Sequence, residues 1–244
     1  MFSGKIEDYI LFEDKEIIVC RKPAGIAVQN ARIGAMDLES SLKNYLAMQA
    51  GGERKIPYLA VIHRLDQPVE GILVFGKTPE AAKSLSAQIT AGKMEKIYLA
   101  VTYGKQAEAG KKEKVLEDYL KKDGKSNTSS VVNAHTPGAK KARLSYEVLG
   151  EAVDAISGKK KWLLRIHLDT GRHHQIRVQF ASRGLGLYGD TKYNPKFQKT
   201  KKKYTEIGLY STRISFNHPV TGERMTFKIE PSGEAFEKMD VEAF

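Results

Sequence analysis

One cysteine, Cys20, serves the whole chain, so no disulfide can form within it and no cysteine-based structural zinc site can be built. The thiol sits in the apolar run Ile17-Ile18-Val19-Cys20, which predicts a buried, unreactive group. Also missing is any apolar run of the roughly 18–20 residues that a membrane span requires. The opening Met1 to Asp8 lacks the apolar core of a secretory signal. A cytoplasmic protein that makes no use of a membrane is expected. Acidic residues are short too: 29 Asp and Glu face 40 Lys and Arg, a formal net charge of +11 over 244 residues. That excess favours a polyanionic partner, whether RNA, DNA or an acidic membrane surface, and charge alone does not choose among them. There is no internal repeat and no long linker, and the length suffices for one sizeable core, so residues 1–244 are expected to form a single domain.

Glu16 to Lys22 predicts a short strand ending at Pro23, after which Ala24-Gly25 suits a turn with glycine at positive φ. Leu38, Leu42, Tyr45 and Leu46 form a helical stripe, with Asp37 as N-cap and Gly51-Gly52 as its stop. Tyr58 to Ile62 and Ile72 to Phe75 predict strands, and the polar segment His63 to Gly71 lies between them on a loop. Thr78 as N-cap and Pro79 at the first helical position open a helix running to about Gly92. Lys96 to Tyr103 predicts a strand, as does Lys161 to Leu168, where Trp162, Leu164, Ile166 and Leu168 alternate. His173 to Arg183 fits a helix burying Ile176 and Phe180 and ended by Gly184. Leu209 to Phe216 and Met225 to Ile229 flank the turn Asn217 to Gly222 as a closing hairpin. The lysine-rich stretch 105–142 predicts short strands around a flexible hairpin or insertion. Together these elements predict an α+β fold, a mixed and mostly antiparallel central sheet flanked by helices, with the site in a central cleft.

Two polar runs stand out. His63-Arg64-Leu65-Asp66 and Leu168-Asp169-Thr170-Gly171-Arg172-His173-His174-Gln175-Ile176-Arg177 place a carboxylate and several cations in loop contexts far apart in sequence, an arrangement suited to a charged site assembled by folding. Asp66 is the catalytic candidate; the plain alternative is an aspartate capping a turn before Pro68. The histidines His63, His167, His173 and His174 lie near Asp66 and Asp169 but follow no three-ligand metal spacing, so no metal and no cofactor are expected.

With Lys96-Ile97-Tyr98-Leu99-Ala100, Gly189-Asp190-Thr191-Lys192-Tyr193, Lys22-Pro23-Ala24-Gly25 and Phe216-Asn217-His218-Pro219 added, the motifs stand in the order seen in the RluA family of RNA pseudouridine synthases, which the chain resembles over nearly its whole length. The resemblance implies a pseudouridine synthase catalytic fold and isomerisation of a uridine in structured rRNA or tRNA, in which a C5 to C1′ bond replaces the N1 to C1′ bond. It implies Asp66 as the catalytic carboxylate on a flipped nucleotide. Attack at C1′, addition at C6 and removal of the C2′ proton all stay open. It further implies Tyr98 as the active-site tyrosine, stacking on uracil or moving a proton, and Arg177 as the cation that pairs with the aspartate. Arg64 would fill the gap left by the flipped base or hold a phosphate, and Arg172 would hold phosphate at the site mouth. His174 would brace its loop and His63 the strand end, while Asp190 and Tyr193 would serve local architecture. Lys199, Lys201, Lys202 and Lys203, beside Phe197 and Tyr204, are candidate RNA phosphate contacts.

Three departures bear on substrate more than on reaction. Gln67-Pro68-Val69-Glu70-Gly71 replaces the family's x-x-Thr-Ser-Gly, Gln179 stands where histidine is common, and Leu187-Tyr188 replaces Pro-Ile. Glu70 thereby brings a second carboxylate near Asp66, for which a structural hydrogen bond is favoured over a part in proton transfer or RNA preference. No S4 RNA-binding domain is expected ahead of the catalytic domain, and a monomer is expected. The competing readings are an RNA-folding chaperone that retains the fold, and a glycoside-type hydrolase using Asp66 with Glu70; intact Asp66, Tyr98 and Arg177 favour the synthase.

Overall fold

The computed structural model describes residues 2–30, 36–51, 56–103, 113–154, 157–198 and 206–240. They group into two compact units, one made of residues up to 95 with 211–229, the other of 96–210 with 230 onward. Most of the strand pairings detailed below are antiparallel.

In the first unit, β1 (Ile10–Glu13), β2 (Ile17–Lys22), β4 (Glu70–Gly76) and β10 (Leu209–Asn217) lie side by side in that order, β10 entering the unit at Ser211. The short β3 (Ala60–Val61) pairs with β4 and β11 (Arg224–Lys228) with β10. One sheet face carries Ile17, Val19, Ile72, Val74, Ile214 and Phe216, and α2 (Pro79–Thr90) covers it with Ala81 and Leu85. Each fully buried aliphatic side chain there is worth about 1.5–3 kcal/mol. The start of α2 follows from its cap: the Thr78 side chain accepts from the Ala81 N–H, with Pro79 just inside. Asp37 does the same for α1 (Leu38–Gln49), accepting from the Ser40 N–H at 2.7 Å and burying Leu38, Leu42 and Leu46.

The strand expected over Tyr58 to Ile62 is cut to Ala60–Val61. Tyr58 and Leu59, next to Pro57, stay outside the ladder. At the other end the His63 ring takes over, its Nε2 accepting from the Val74 N–H at 3.4 Å.

In the second unit the order is β5 (Glu95–Tyr103), β9 (Lys160–Leu168), β8 (Lys140–Val153), β6 (Lys114–Asp123) and β7 (Thr128–Val132). Within the segment 105–142, residues 113 onward thus supply β6, β7 and the beginning of β8. Helix α3 (Gln175–Ala181) packs on this sheet, setting Phe180 edge-on to Tyr146 and Val178 against Leu120 and Ala142. It is shorter than the His173 to Arg183 span expected, because His174 takes a left-handed φ of 53° and can only precede the helix. Gly184, at φ 74°, closes the far end as expected. Among the described residues, no helix is long and apolar enough to cross a membrane.

Candidate active site

Asp66 sits half-buried on the loop before β4, between Leu65 and Val69, whose side chains are both buried and anchor it on either side. The Val69 N–H donates to the Asp66 carbonyl at 3.0 Å, closing a turn. Its apex is clipped to the Lys22-Pro23-Ala24-Gly25 turn by a reciprocal pair: the Gly25 N–H donates to the Gln67 carbonyl at 2.9 Å, and Gln67 Nε2 donates to the Gly25 carbonyl at 3.0 Å. Gly25 meets this geometry with a φ of 82°.

Beneath the clip lies Lys22, fully buried at the end of β2. Its ammonium donates to the carbonyls of Pro23 (2.9 Å), Ile26 (2.7 Å) and Gln67 (3.1 Å). Burial pushes its pKa down to about 7, while the negative charges of Glu70 and Asp66 pull the other way. Sequence reasoning quoted Lys22 in a motif and assigned it no role; the signal was a lysine closing the apolar run Ile17 to Cys20. Glu70 opens β4, with Arg21 Nε 3.8 Å from its Oε1. Gly71 is confined by close approach, since a Cβ there would lie 2.5 Å from the Ser211 backbone N and O, and its φ is 140°. His63 lies at the β3 end described above, and Arg64 is exposed. Cys20 is buried, and burial raises its thiol pKa far above the ordinary value.

The second unit carries the other candidates. Tyr98 lies in β5, 5% exposed and paired across the ladder with Ile166. Arg177, in α3, is also buried and grips Asp190 with a two-pronged fork, Nε to Oδ2 and Nη2 to Oδ1, each at 2.8 Å. Asp190 is wholly buried, and its Oδ1 also accepts from the backbone N–H groups of Lys192 (3.0 Å) and Tyr193 (3.1 Å). The Gly189 to Tyr193 motif therefore shapes a turn whose carboxylate holds Arg177, a partnership that the resemblance did not supply. The Arg177 guanidinium also lies 5.1 Å from the Tyr193 ring centre.

His174 Nδ1 and the Tyr193 hydroxyl are 2.7 Å apart, and that hydroxyl accepts from the Ser129 N–H of β7 at 2.7 Å. His173 stacks on His174 at 3.7 Å and reaches Ser129 Oγ (2.8 Å) and Asn127 Oδ1 (3.2 Å). Both histidines thus tie the β6–β7 hairpin to the start of α3. Arg172 is exposed, with Nε donating to the Lys141 carbonyl at 2.8 Å. Gln179, the departure in α3, donates to Asp118 Oδ2 at 2.7 Å. Lys199, Lys201, Lys202 and Lys203 lie outside the described residues. Among those described, no three His, Cys, Asp or Glu side chains converge as metal ligands.

The fold is that of solved pseudouridine synthases. Human RNA pseudouridylate synthase domain containing 4 and human RNA pseudouridylate synthase domain containing 1 each superpose with a TM-score of 0.71 over 95% of this chain, covering 92% and 86% of theirs at 20% and 18% identity. The family model described as RNA pseudouridylate synthase matches residues 16–182. The chain therefore belongs to the RNA pseudouridylate synthase family, and with it to the isomerases. Ribosomal large subunit pseudouridine synthase D of Pseudomonas aeruginosa is 30% identical over 91% of this chain and 68% of its own length. The protein of the same name in Vibrio cholerae is 29% identical, over 89% and 65%. The uncharacterized RNA pseudouridine synthase YhcT of Bacillus subtilis is 30% identical, over 91% and 69%. The chain spans about two thirds of the length of these three relatives.

Proposed function

We propose that the chain isomerises a uridine of large-subunit ribosomal RNA to pseudouridine, with Asp66 as the carboxylate that acts on a nucleotide drawn out of the RNA. The observation that carries the reading is the setting of Asp66: a half-buried carboxylate on a turn clipped to Gly25 and underlaid by the Lys22 ammonium. A carboxylate on a turn so held keeps one position, as attack at C1′, addition at C6 or removal of the C2′ proton would each demand. Tyr98 would lie against the uracil ring, and Arg177, fixed by Asp190, would add positive charge to the site. Arg64, Arg172 and the lysines at 199 and 201–203 would hold the polyanion, in keeping with the net charge of +11. The choice of ribosomal RNA over transfer RNA draws on the printed names of the Pseudomonas and Vibrio relatives.

The test is carbodiimide mapping of pseudouridine in ribosomal and transfer RNA from a deletion strain complemented with wild-type or Asp66→Ala protein. One large-subunit position should regain its mark with wild type alone. A mark restored by Asp66→Ala would sink the role of Asp66; a mark confined to transfer RNA would sink the choice of substrate.

A further inference from the structure

Two residues before Tyr98, and so on the same face of β5, stands Lys96. It is 7% exposed, yet its ammonium meets no hydrogen-bond acceptor and no carboxylate among the described residues. Burial alone holds its pKa below the ordinary lysine value, with no neighbouring charge to offset it. The other buried lysines differ: Lys22 has three carbonyls, and Lys161 has those of Glu234 and Ala235. The Lys96 side chain is buried while its ammonium, absent from the sealed atoms that lack a partner, keeps a narrow opening to the surface, and an ammonium so placed can receive an anion from outside.

The loop after β9 leaves that opening. Residue 171 is glycine, and a Cβ built there would stand 3.8 Å from Lys96 Nζ. The missing side chain leaves that approach to the ammonium open. Next in the chain comes the exposed Arg172, whose Nε is fixed on the Lys141 carbonyl while its terminal amino groups bond to no described residue. Gln175 holds the loop in place, its Oε1 accepting from the Thr170 hydroxyl at 2.8 Å and the Arg172 N–H at 3.0 Å. Two cations thus flank a glycine on a braced loop.

We propose that Lys96 and Arg172 form a phosphate subsite that grips one phosphodiester of the substrate RNA across Gly171. A compact ammonium reached past a bare glycine suits a single phosphate oxygen, while the planar Arg172 can take a second oxygen of the same group. The subsite rests on the RNA substrate proposed above and deepens it by assigning the buried half of a backbone contact.

The test compares wild type with Lys96→Met, Lys96→Arg and Gly171→Ala on a short RNA containing the mapped uridine. It reads melting temperature, RNA affinity against salt, and tritium released from uridine labelled at C5, the hydrogen displaced when the C5 to C1′ bond forms. Lys96→Met should melt no lower than wild type, bind RNA about tenfold more weakly and flatten the log–log salt slope by about 0.7–1. Lys96→Arg should keep most of that slope. Gly171→Ala leaves the charge in place and sets its methyl in ordinary contact with Nζ, so it should fold and still lose affinity. One methylphosphonate in the RNA should weaken wild-type binding about tenfold and leave Lys96→Met unaffected.

An unchanged salt slope, or a Gly171→Ala protein that binds like wild type, overturns the subsite; should Lys96→Met not fold, Gly171→Ala decides. Wild type that releases tritium while Lys96→Met matches it in KM and affinity refutes the subsite alone. Wild type that releases none from this RNA counts against the proposed substrate instead.

Discussion

Lys22→Met should change how stability responds to pH, and the sign follows from the direction of the lysine's shift. In the unfolded chain the group holds its proton up to about 10.5, whereas burial lowers the folded value to about 7. Between those values the unfolded state binds more protons, so wild-type stability rises with pH; the penalty is full below pH 7 and gone above 10.5. From pH 7 to pH 9 this one group should add about 2 kcal/mol to the unfolding free energy. Other titrating groups cancel when the variant is compared with wild type over the same interval. Urea unfolding of both proteins at pH 7 and pH 9 measures the difference. Methionine fills a similar volume without charge, and it removes the donor to the carbonyls of Pro23 and Ile26 and one of the two donors to that of Gln67, a loss that does not change with pH. Parallel pH dependences, with any fixed offset, would refute the reasoning that the Lys22 ammonium is held at the cost of its solvation.

Three further outcomes are expected. Asp190→Asn removes one charge from the buried fork that grips Arg177 and should cost about 3–5 kcal/mol in urea unfolding, so an unchanged midpoint would contradict the fork as a support of the fold. Gly71→Ala forces a methyl into the Ser211 backbone and should prevent accumulation of soluble protein; a folded variant with wild-type melting temperature would overturn that account. Neutralising Lys199, Lys201, Lys202 and Lys203 to glutamine should flatten the salt slope of RNA binding by about 3, and an unaltered slope would remove that segment from the interface.

Where structure was legible in the sequence, local chemistry had settled it. Asp37 and Thr78 announce α1 and α2 because a side-chain oxygen capping an N–H three residues on is a contact within one turn. The turn at Gly25 and the alternation of β9 are equally local. The β6 strand was harder to read, because between its inward-facing Leu116 and Leu120 stands Asp118, which breaks the apolar alternation. Asp118 is admitted there by Gln179 of α3 and by Arg183, both more than sixty residues away in sequence. The left-handed His174 that shortens α3 is likewise held through distant contacts, with Tyr193 and, by way of its stacked neighbour His173, with Ser129. Asp66 itself could be picked out only through the order of motifs far from it, since alone it resembles any aspartate before a turn. The clip that holds it joins residues 22–25 to residue 67, and no local pattern states that pairing.

Three of the buried cations follow the same division. Arg177 is answered by Asp190 thirteen residues on, Lys22 by carbonyls of two separate turns, and Lys161 by the C-terminal segment together with the Tyr188 ring at 5.6 Å. Each compensation crosses from one element to another, so a charge in an apolar run marks a place where tertiary structure must supply a partner without saying which. In the first two cases that partner also fixes a site candidate: Lys22 underlies the Asp66 turn, and Asp190 sets Arg177. Burying a cation is costly enough that the backbone around it must be held in one arrangement, and a carboxylate or guanidinium mounted on that backbone inherits the same fixity. The charged interior is therefore what gives the candidate residues of each unit their rigidity, and disturbing it should reduce activity before it unfolds the chain.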